Sequence, residues 1–382
     1  MSDSDKQLAH SFFREKNTNF PSKPKVIEDL DIFEMPDGLG MQFRGLSNPV
    51  VMKGLLVDSL LPLLLPLLDG TRDLSAITKS LPVNTDFDDV AALLMNLFIR
   101  GIIVDEETND SKVDNFATLA NQRQRLFWSR RLGVTRLNRT SLEVDTKIKT
   151  AKILLIAEGL LGAKVFDLLA ICGFQNIELI TVNNDPELDR LYAEIGVSPQ
   201  NFSDQIEVLK AAVLKKIDGQ HFVIAAVRNC SNDLVETINE LCINHSIEWL
   251  RVQDNGSGIE CGPYVNPHHS PCFACMLTRQ ISVNDNAVEE ELYQQKLSVG
   301  QNVSVLKGES ISLICTAASY AIQDVERILT GLETPFLGGR VVKFSSDGNI
   351  ESSNFLRVPG CEICSRASTL VRFGGENGIS AN

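Results

Sequence analysis

The pattern of apolar and polar positions changes character twice along this chain. Polar residues dominate the first 25 positions, which end near FPSKPK, and a flexible arm is predicted over residues 1–25. From Val26, short runs of alternating apolar residues follow, VIEDLDIFEM, GLGMQFRG and PVVMKG, set apart by Pro36-Asp37-Gly38 and Asn48-Pro49. Period-two alternation bounded by turn residues predicts three strands. Three helix-length segments come next: Leu55 to Leu68, closed by Asp69-Gly70; the short DLSAITKSL; and Phe87 to Arg100 before Gly101. Asp86 is placed to cap the third, with Asp88 and Asp89 in the first turn, where the helix dipole favours acids. A strand in GIIVDEE closes the set.

From Lys152 the runs lengthen and alternate in type. Strands are predicted in KILLI, IELITV, HFVIAAV and IEWLRV, and helices in GLLGAKVFDLLAIC, SDQIEVLKAAVLKKI and NDLVETINELCINH. Apolar strands separated by helices predict a parallel, doubly wound sheet covered on both faces. A helix from Ser310 to Leu329 and strands in GRVVKFS and NIESSNFLRV follow. The predicted organisation is therefore an arm (1–25), a small β3α3 winged-helix-like domain (26–110), a connector (111–150) and a Rossmann-type α/β body (151–382). A length of 382 residues fits two or three domains.

Charge narrows what the small domain can do. The chain carries 36 Lys and Arg against 49 Asp and Glu, a net of −13. Between Val26 and Glu107 there are 14 acids and 5 bases, and the third helix has no base but Arg100. A DNA reader needs Arg or Lys for phosphates and guanine edges, so nucleic acid is not the expected partner. A plain packing domain is the bland alternative. The connector segment NQRQRLFWSRRLGVTRLNRT is the opposite, with six arginines from Arg123 to Arg139 and no acid. It could meet an acidic partner, but a helix paired with the protein's own acids is favoured. The most apolar stretch, Gly54 to Gly70, is broken by Asp58, Pro62 and Pro66 and falls short of the ~20 residues a bilayer needs, so no membrane span is expected. MSDSDKQLAH lacks the basic and apolar regions of a secretory signal, and with nine cysteines this predicts a cytoplasmic chain whose thiols are reduced or metal-bound.

Two Cys-x-x-Cys hooks, PCFAC with Cys272 and Cys275 and GCEIC with Cys361 and Cys364, carry the strongest chemical signal. Together they supply the four soft donors of a closed tetrahedral site, which predicts structural zinc clamping distant segments and no catalytic position. A redox pair or coincidence is the competing reading. Cys172, Cys230, Cys242 and Cys315 are expected in the core, Cys261 has no base beside it, and His268 and His269 are read as loop residues.

The turn after the first Rossmann strand reads AEGLLG, Ala157, Glu158, Gly159, then Gly162. A dinucleotide loop needs G-x-G-x-x-G so that backbone amides approach phosphate. Here the first glycine is lost and Glu158 brings a carboxylate to the phosphate's place; two like charges ~4 Å apart cost about 1 kcal/mol even in bulk water. Asn183, with Asp185 two positions on, stands where a ribose-binding acid is expected. A nucleotide should bind poorly.

The Rossmann half with its paired hooks resembles the ThiF-like, ubiquitin-activating-type adenylating family from about Gln122 to Arg366. Active members look like G-x-G-G-L-G at the loop and D-x-x-D-N after the third strand; this chain has AEGLLG and AAVRN, with Ala225 and Arg228 where magnesium-linked aspartates are expected. The resemblance therefore implies a pseudoenzyme with structural zinc and no ATP. The first domain resembles the PqqD-like leader-recognition element through LLPLLLPLLDGTRDLSAITKSL and NLFIRGIIV. The whole order is similar to the ThiF-like partner proteins of YcaO cyclodehydratases, the C proteins or ocin-ThiF-like proteins. That resemblance implies a non-catalytic subunit that binds a ribosomal precursor's leader peptide and delivers it to, and activates, a separate azoline-forming YcaO enzyme. It also implies a flavin dehydrogenase reached through the complex, and a homodimer. On the PqqD-like pattern, the leader would add to the edge Val50, Val51, Met52, Lys53 and Gly54, facing a groove at Val90, Leu93, Leu94 and Leu97. An active adenylating enzyme is the alternative, and a winged-helix regulator a third reading.

Overall fold

The computed structural model describes residues 20–46, 48–105, 119–132, 140–182, 193, 201–202, 206–228, 230–267, 269–298 and 308–365. The chain forms two compact units, Met1–Ile148 with Arg327–Thr334, and Lys149–Glu326 with Pro335–Asn382. The predicted arm lies outside the described residues as far as residue 19.

In the first unit the strands are β1 (Pro24–Val26), β2 (Asp31–Glu34), β3 (Met41–Arg44), β4 (Val50–Met52) and β5 (Ile103–Asp105). The helices are α1 (Leu55–Ser59), α2 (Leu61–Leu64), α3 (Leu74–Ser80), α4 (Phe87–Ile99), α5 (Leu119–Ser129) and α6 (Ser141–Thr150), the last ending in the second unit. The last strand does not join the three-stranded sheet β2-β3-β4; it pairs antiparallel with β1. Order begins before Val26: the Phe20 ring packs edge-on to Phe98 at 5.2 Å, and Lys23 donates its backbone N–H to Asp105 at 3.0 Å.

The single helix predicted over Leu55 to Leu68 is three short pieces, α1, α2 and a 3-10 turn at Leu65–Leu67. Pro62 and Pro66 cause the breaks, since each sits in the first turn of a piece, where a missing N–H costs nothing. The Asp-Gly-Thr turn that follows is held by Asp69, whose carboxylate accepts the Thr71 hydroxyl at 2.6 Å and its N–H at 2.9 Å. Those bonds, the hydroxyl's above all, hold this exposed carboxyl down at about 2. Asp73 then caps α3 by accepting the Ala76 N–H at 2.8 Å.

Part of the arginine-rich segment is paired within its own unit. Arg131 stacks on the Phe127 ring at 4.3 Å and pairs with Glu333, which also takes Arg327 at 3.0 Å. Arg136 and Arg139 lie outside the described residues.

The second unit is built on an eight-stranded sheet. Its strands are β6 (Lys152–Ala157), β7 (Asn176–Val182), β8 (Asn201–Phe202), β9 (Phe222–Arg228), β10 (Glu248–Asp254), β11 (Gly258–Val265), β12 (Arg340–Ser345) and β13 (Ile350–Asn354). The helices are α7 (Gly159–Ile171), α8 (Ile206–Lys216), α9 (Asn232–Asn244), α10 (Phe273–Ser282), α11 (Ala287–Ser298) and α12 (Ile311–Thr330), whose last turn belongs to the first unit. The order is β13-β12-β11-β10-β9-β6-β7-β8, with β10 to β8 parallel and β11 to β13 antiparallel. The sheet is thus mixed where the hydrophobic runs alone predict a parallel one. The chain leaves β6 toward β7 on one side and resumes at β9 on the other, so β6 and β9 bound the switch point where α/β sheets bind ligands. Side chains of β9 and β10 such as Phe222, Ile224, Trp249 and Leu250 are fully buried, as a doubly covered sheet requires.

Candidate functional site

The four hook cysteines meet. Cys272 caps α10 and Cys275 lies in its first turn, while Cys361 and Cys364 follow β13 in a turn closed by the Cys361 N–H bonding to Val358 at 3.1 Å. The sulfur separations are 3.8 Å for Cys272–Cys275, 3.8 Å for Cys272–Cys361 and 3.5 Å for Cys275–Cys364, and all four lie within 4.8 Å of one another. Four sulfurs at tetrahedral corners about 2.3 Å from a zinc ion stand about 3.8 Å apart, whereas a disulfide needs about 2.05 Å. Donor set and spacing therefore fit a closed four-thiolate zinc site.

The surroundings prepare this centre. Asn239 on α9 accepts the Phe273 N–H at 3.2 Å and fixes the start of α10, and Val358 donates its N–H to the Cys275 sulfur at 3.3 Å. The Cys275 thiol is held well below its ordinary value, chiefly by the hydrogen bond from Cys272, which is itself pushed up by the same pairing. All four are buried, and among the described residues no histidine joins the cluster; His269 is exposed and His268 lies outside the described residues. Of the other cysteines, Cys242 and Cys261 are buried and Cys172, Cys230 and Cys315 half-buried; burial raises the thiols of Cys230, Cys242 and Cys261.

At the switch point, Ala157 ends β6, Glu158 caps α7 and Gly159 adopts φ +66°, the left-handed region that favours glycine. Gly162 keeps the packing role of its position, since a β-carbon there would stand 2.6 Å from the Ala157 side chain. The space above Gly159 is filled: a β-carbon there would lie 3.3 Å from Glu309 Oε1 and 3.7 Å from Arg228 Cδ. Glu158 turns aside to accept the Arg228 backbone N–H at 2.8 Å. Arg228 ends β9 with Nε 3.5 Å from Asp254, Nη1 3.5 Å from Glu309, and Nη2 donating to the Gly308 carbonyl at 3.1 Å. Ala225 is fully buried within β9. Glu309 and Asp254 carry no motif of their own; the one signal in the sequence is the arginine of AAVRN, which needs acids wherever it is buried. Asn183 and Asp185 lie outside the described residues.

Beside this crevice a cavity of about 870 Å³ opens near the carboxyl ends of β9 and β10, walled by Asp233, Glu236, Glu260, Glu290 and Glu291. Arg251, the one cation of its lining among the described residues, is bound by Glu260 at 2.6 Å, and burial together with Asp233 raises Glu236. Such a lining repels a polyphosphate.

In the first unit, β4 is an edge of its sheet, bonded to β3 alone among the described residues. Val51, Lys53 and Gly54 are exposed, Val50 is half-buried and Met52 buried. The expected groove on the third helix requires correction. Val90, Leu93, Leu94 and Leu97 are all 0% exposed and sit in one cluster with Phe43, Leu61 and Ile77. Their helical spacing makes them the core stripe of α4, and its exposed apolar side chains are Phe87 and Ile99.

Comparison with solved structures shows a likeness of fold alone. E. coli MccB with AMPCPP and MccA is 17% identical, with a TM-score of 0.63 over 89% of this chain and 99% of that chain. The microcin C7 biosynthetic enzyme MccB in complex with N-formylated MccA gives a TM-score of 0.64 at 17% identity, again over 89% and 99%. A heterocyclase in complex with substrate and cofactor gives 0.55 at 14% identity, over 90% of this chain and 39% of that chain. No family model and no curated protein matches the sequence. No helix among the described residues is long and apolar enough to cross a membrane. The chain has an MccB-like α/β fold with a four-cysteine site fit for zinc.

Proposed function

We propose that this chain is a non-catalytic, zinc-containing, cytoplasmic subunit that binds the leader peptide of a ribosomal precursor and presents it to a separate azoline-forming YcaO cyclodehydratase. The observation that carries the reading is the pairing of an open strand edge at β4 with a nucleotide crevice filled by Arg228 and Glu309. An extended leader laid along β4 gains main-chain hydrogen bonds worth about 0.5–1.5 kcal/mol each. Glu309 and the Arg228 stem crowd the place of a phosphate over Gly159, which supports leaving ATP-dependent chemistry to the partner. Cys272, Cys275, Cys361 and Cys364 would hold zinc as a structural clamp, with no position open for substrate.

The fold likeness to MccB solved with MccA, and to a heterocyclase solved with substrate, supports a role in peptide modification. Holding the leader raises the local concentration of the attached core peptide at the partner enzyme. A homodimer, and a flavin dehydrogenase joined through the complex, belong to the same reading.

The likeness to MccB solved with ATP favours a second reading, an active adenylating enzyme. Reconstitution separates the two. A candidate precursor, this chain and a candidate YcaO cyclodehydratase are combined with ATP and magnesium, and water loss from the precursor is read by mass spectrometry. Water loss that requires both proteins supports the proposal; an adenylated precursor made by this chain alone establishes the alternative.

A further inference from the structure

Arg228 and its acids form a unit that neither the zinc clamp nor the strand edge explains. The Arg228 side chain is 11% exposed, and those of the two acids facing it, Asp254 and Glu309, are 9% and 11% exposed. Asp254 ends β10, and Glu309 with Gly308 immediately precedes α12, so one side chain at the end of β9 reaches two segments distant in sequence. Its backbone N–H fixes Glu158, which caps α7. Four elements, β9, β10, α7 and α12, thus meet at one residue, and three of them at its guanidinium.

We propose that Arg228 is a built-in cation: it pins the segment before α12 over the Gly159 turn and closes the crevice from within. The charges require this arrangement. Asp254 and Glu309 are two carboxylates facing one guanidinium in a largely dehydrated space, where the cation offsets the repulsion between them. A guanidinium suits the task because its planar fork serves several acceptors at fixed angles, as a lysine cannot. The space over Gly159, open to phosphate in a working loop, instead holds the Glu309 carboxylate and the arginine stem. This inference stands whether or not the first unit binds a leader.

Hydrogen–deuterium exchange on the full zinc-loaded chain tests it, comparing wild type with Arg228→Met, which keeps the stem and loses the charge. Amides from Gly308 to Thr316 should exchange about tenfold faster in the variant, the equivalent of about 1.4 kcal/mol of local stability. Exchange in β1 to β5 should stay as in wild type. Unchanged exchange over Gly308 to Thr316 would overturn the proposal. Should Arg228→Met not fold, Arg228→Lys retains the charge without the fork, and exchange there should still rise about threefold. A lysine variant indistinguishable from wild type overturns the proposal equally. Melting curves with magnesium chloride alone add a second readout. Arg228→Met, lacking the guanidinium that faces Asp254 and Glu309, should gain melting temperature from the ion while wild type does not; an equal response in both proteins would contradict a built-in cation.

Discussion

Cys275 and Cys364 lie 89 positions apart in sequence and hold their sulfurs 3.5 Å from each other. Only folding brings them together, so a metal bound there adds its binding free energy to the fold, about 10–16 kcal/mol for structural zinc in small domains. The purified chain should contain one zinc per polypeptide by elemental analysis. Cys364→Ser should lose the metal and unfold the second unit at markedly lower temperature. The ligands bind as thiolates, so acid competes with the ion: zinc release should increase as pH falls, and chelator resistance should increase as pH rises.

The free edge of β4 has its own signature. Val50, Val51 and Met52 alternate in which backbone groups point toward β3 and which point outward. Proline removes one N–H, so of Val50→Pro and Val51→Pro one should weaken leader binding by up to about tenfold with the melting temperature kept. The other should disturb pairing with β3 and lower stability. Titrations of both variants with labelled leader check this, and unchanged affinity in both would remove β4 from the site.

Leu94 distinguishes core from groove. It is fully buried in α4, so Leu94→Ala should cost about 2–5 kcal/mol in denaturant unfolding of the first unit. A groove residue would instead lower leader affinity with the unfolding midpoint unchanged.

Nucleotide should leave the protein indifferent. A ligand present at 100 times its dissociation constant stabilises by about 2.7 kcal/mol, which a melting curve resolves readily. Magnesium-ATP should produce no shift, and pyrophosphate exchange should be silent.

Much of this architecture is legible in the sequence because period and burial go together. KILLI, HFVIAAV and IEWLRV read as buried strands and occupy the sheet centre as β6, β9 and β10. β11 escapes such a reading because Gly262 and Pro263 look like a strand breaker; the structure accommodates them at a register irregularity, where a β-carbon on Gly262 would meet the Arg340 carbonyl at 2.3 Å. α11 escapes because it buries no residue and so has no apolar stripe. The hooks are visible as local spacing. Glu309 is not visible at all, because its role depends on a contact with Arg228 made through the fold.

Leader binding is the property on which the proposed role turns. Fluorescence polarisation of a labelled leader peptide from a candidate precursor, titrated with the zinc-loaded chain and a candidate YcaO partner, measures it. Saturable binding that an unlabelled leader displaces is the predicted result, and a flat titration would contradict the account.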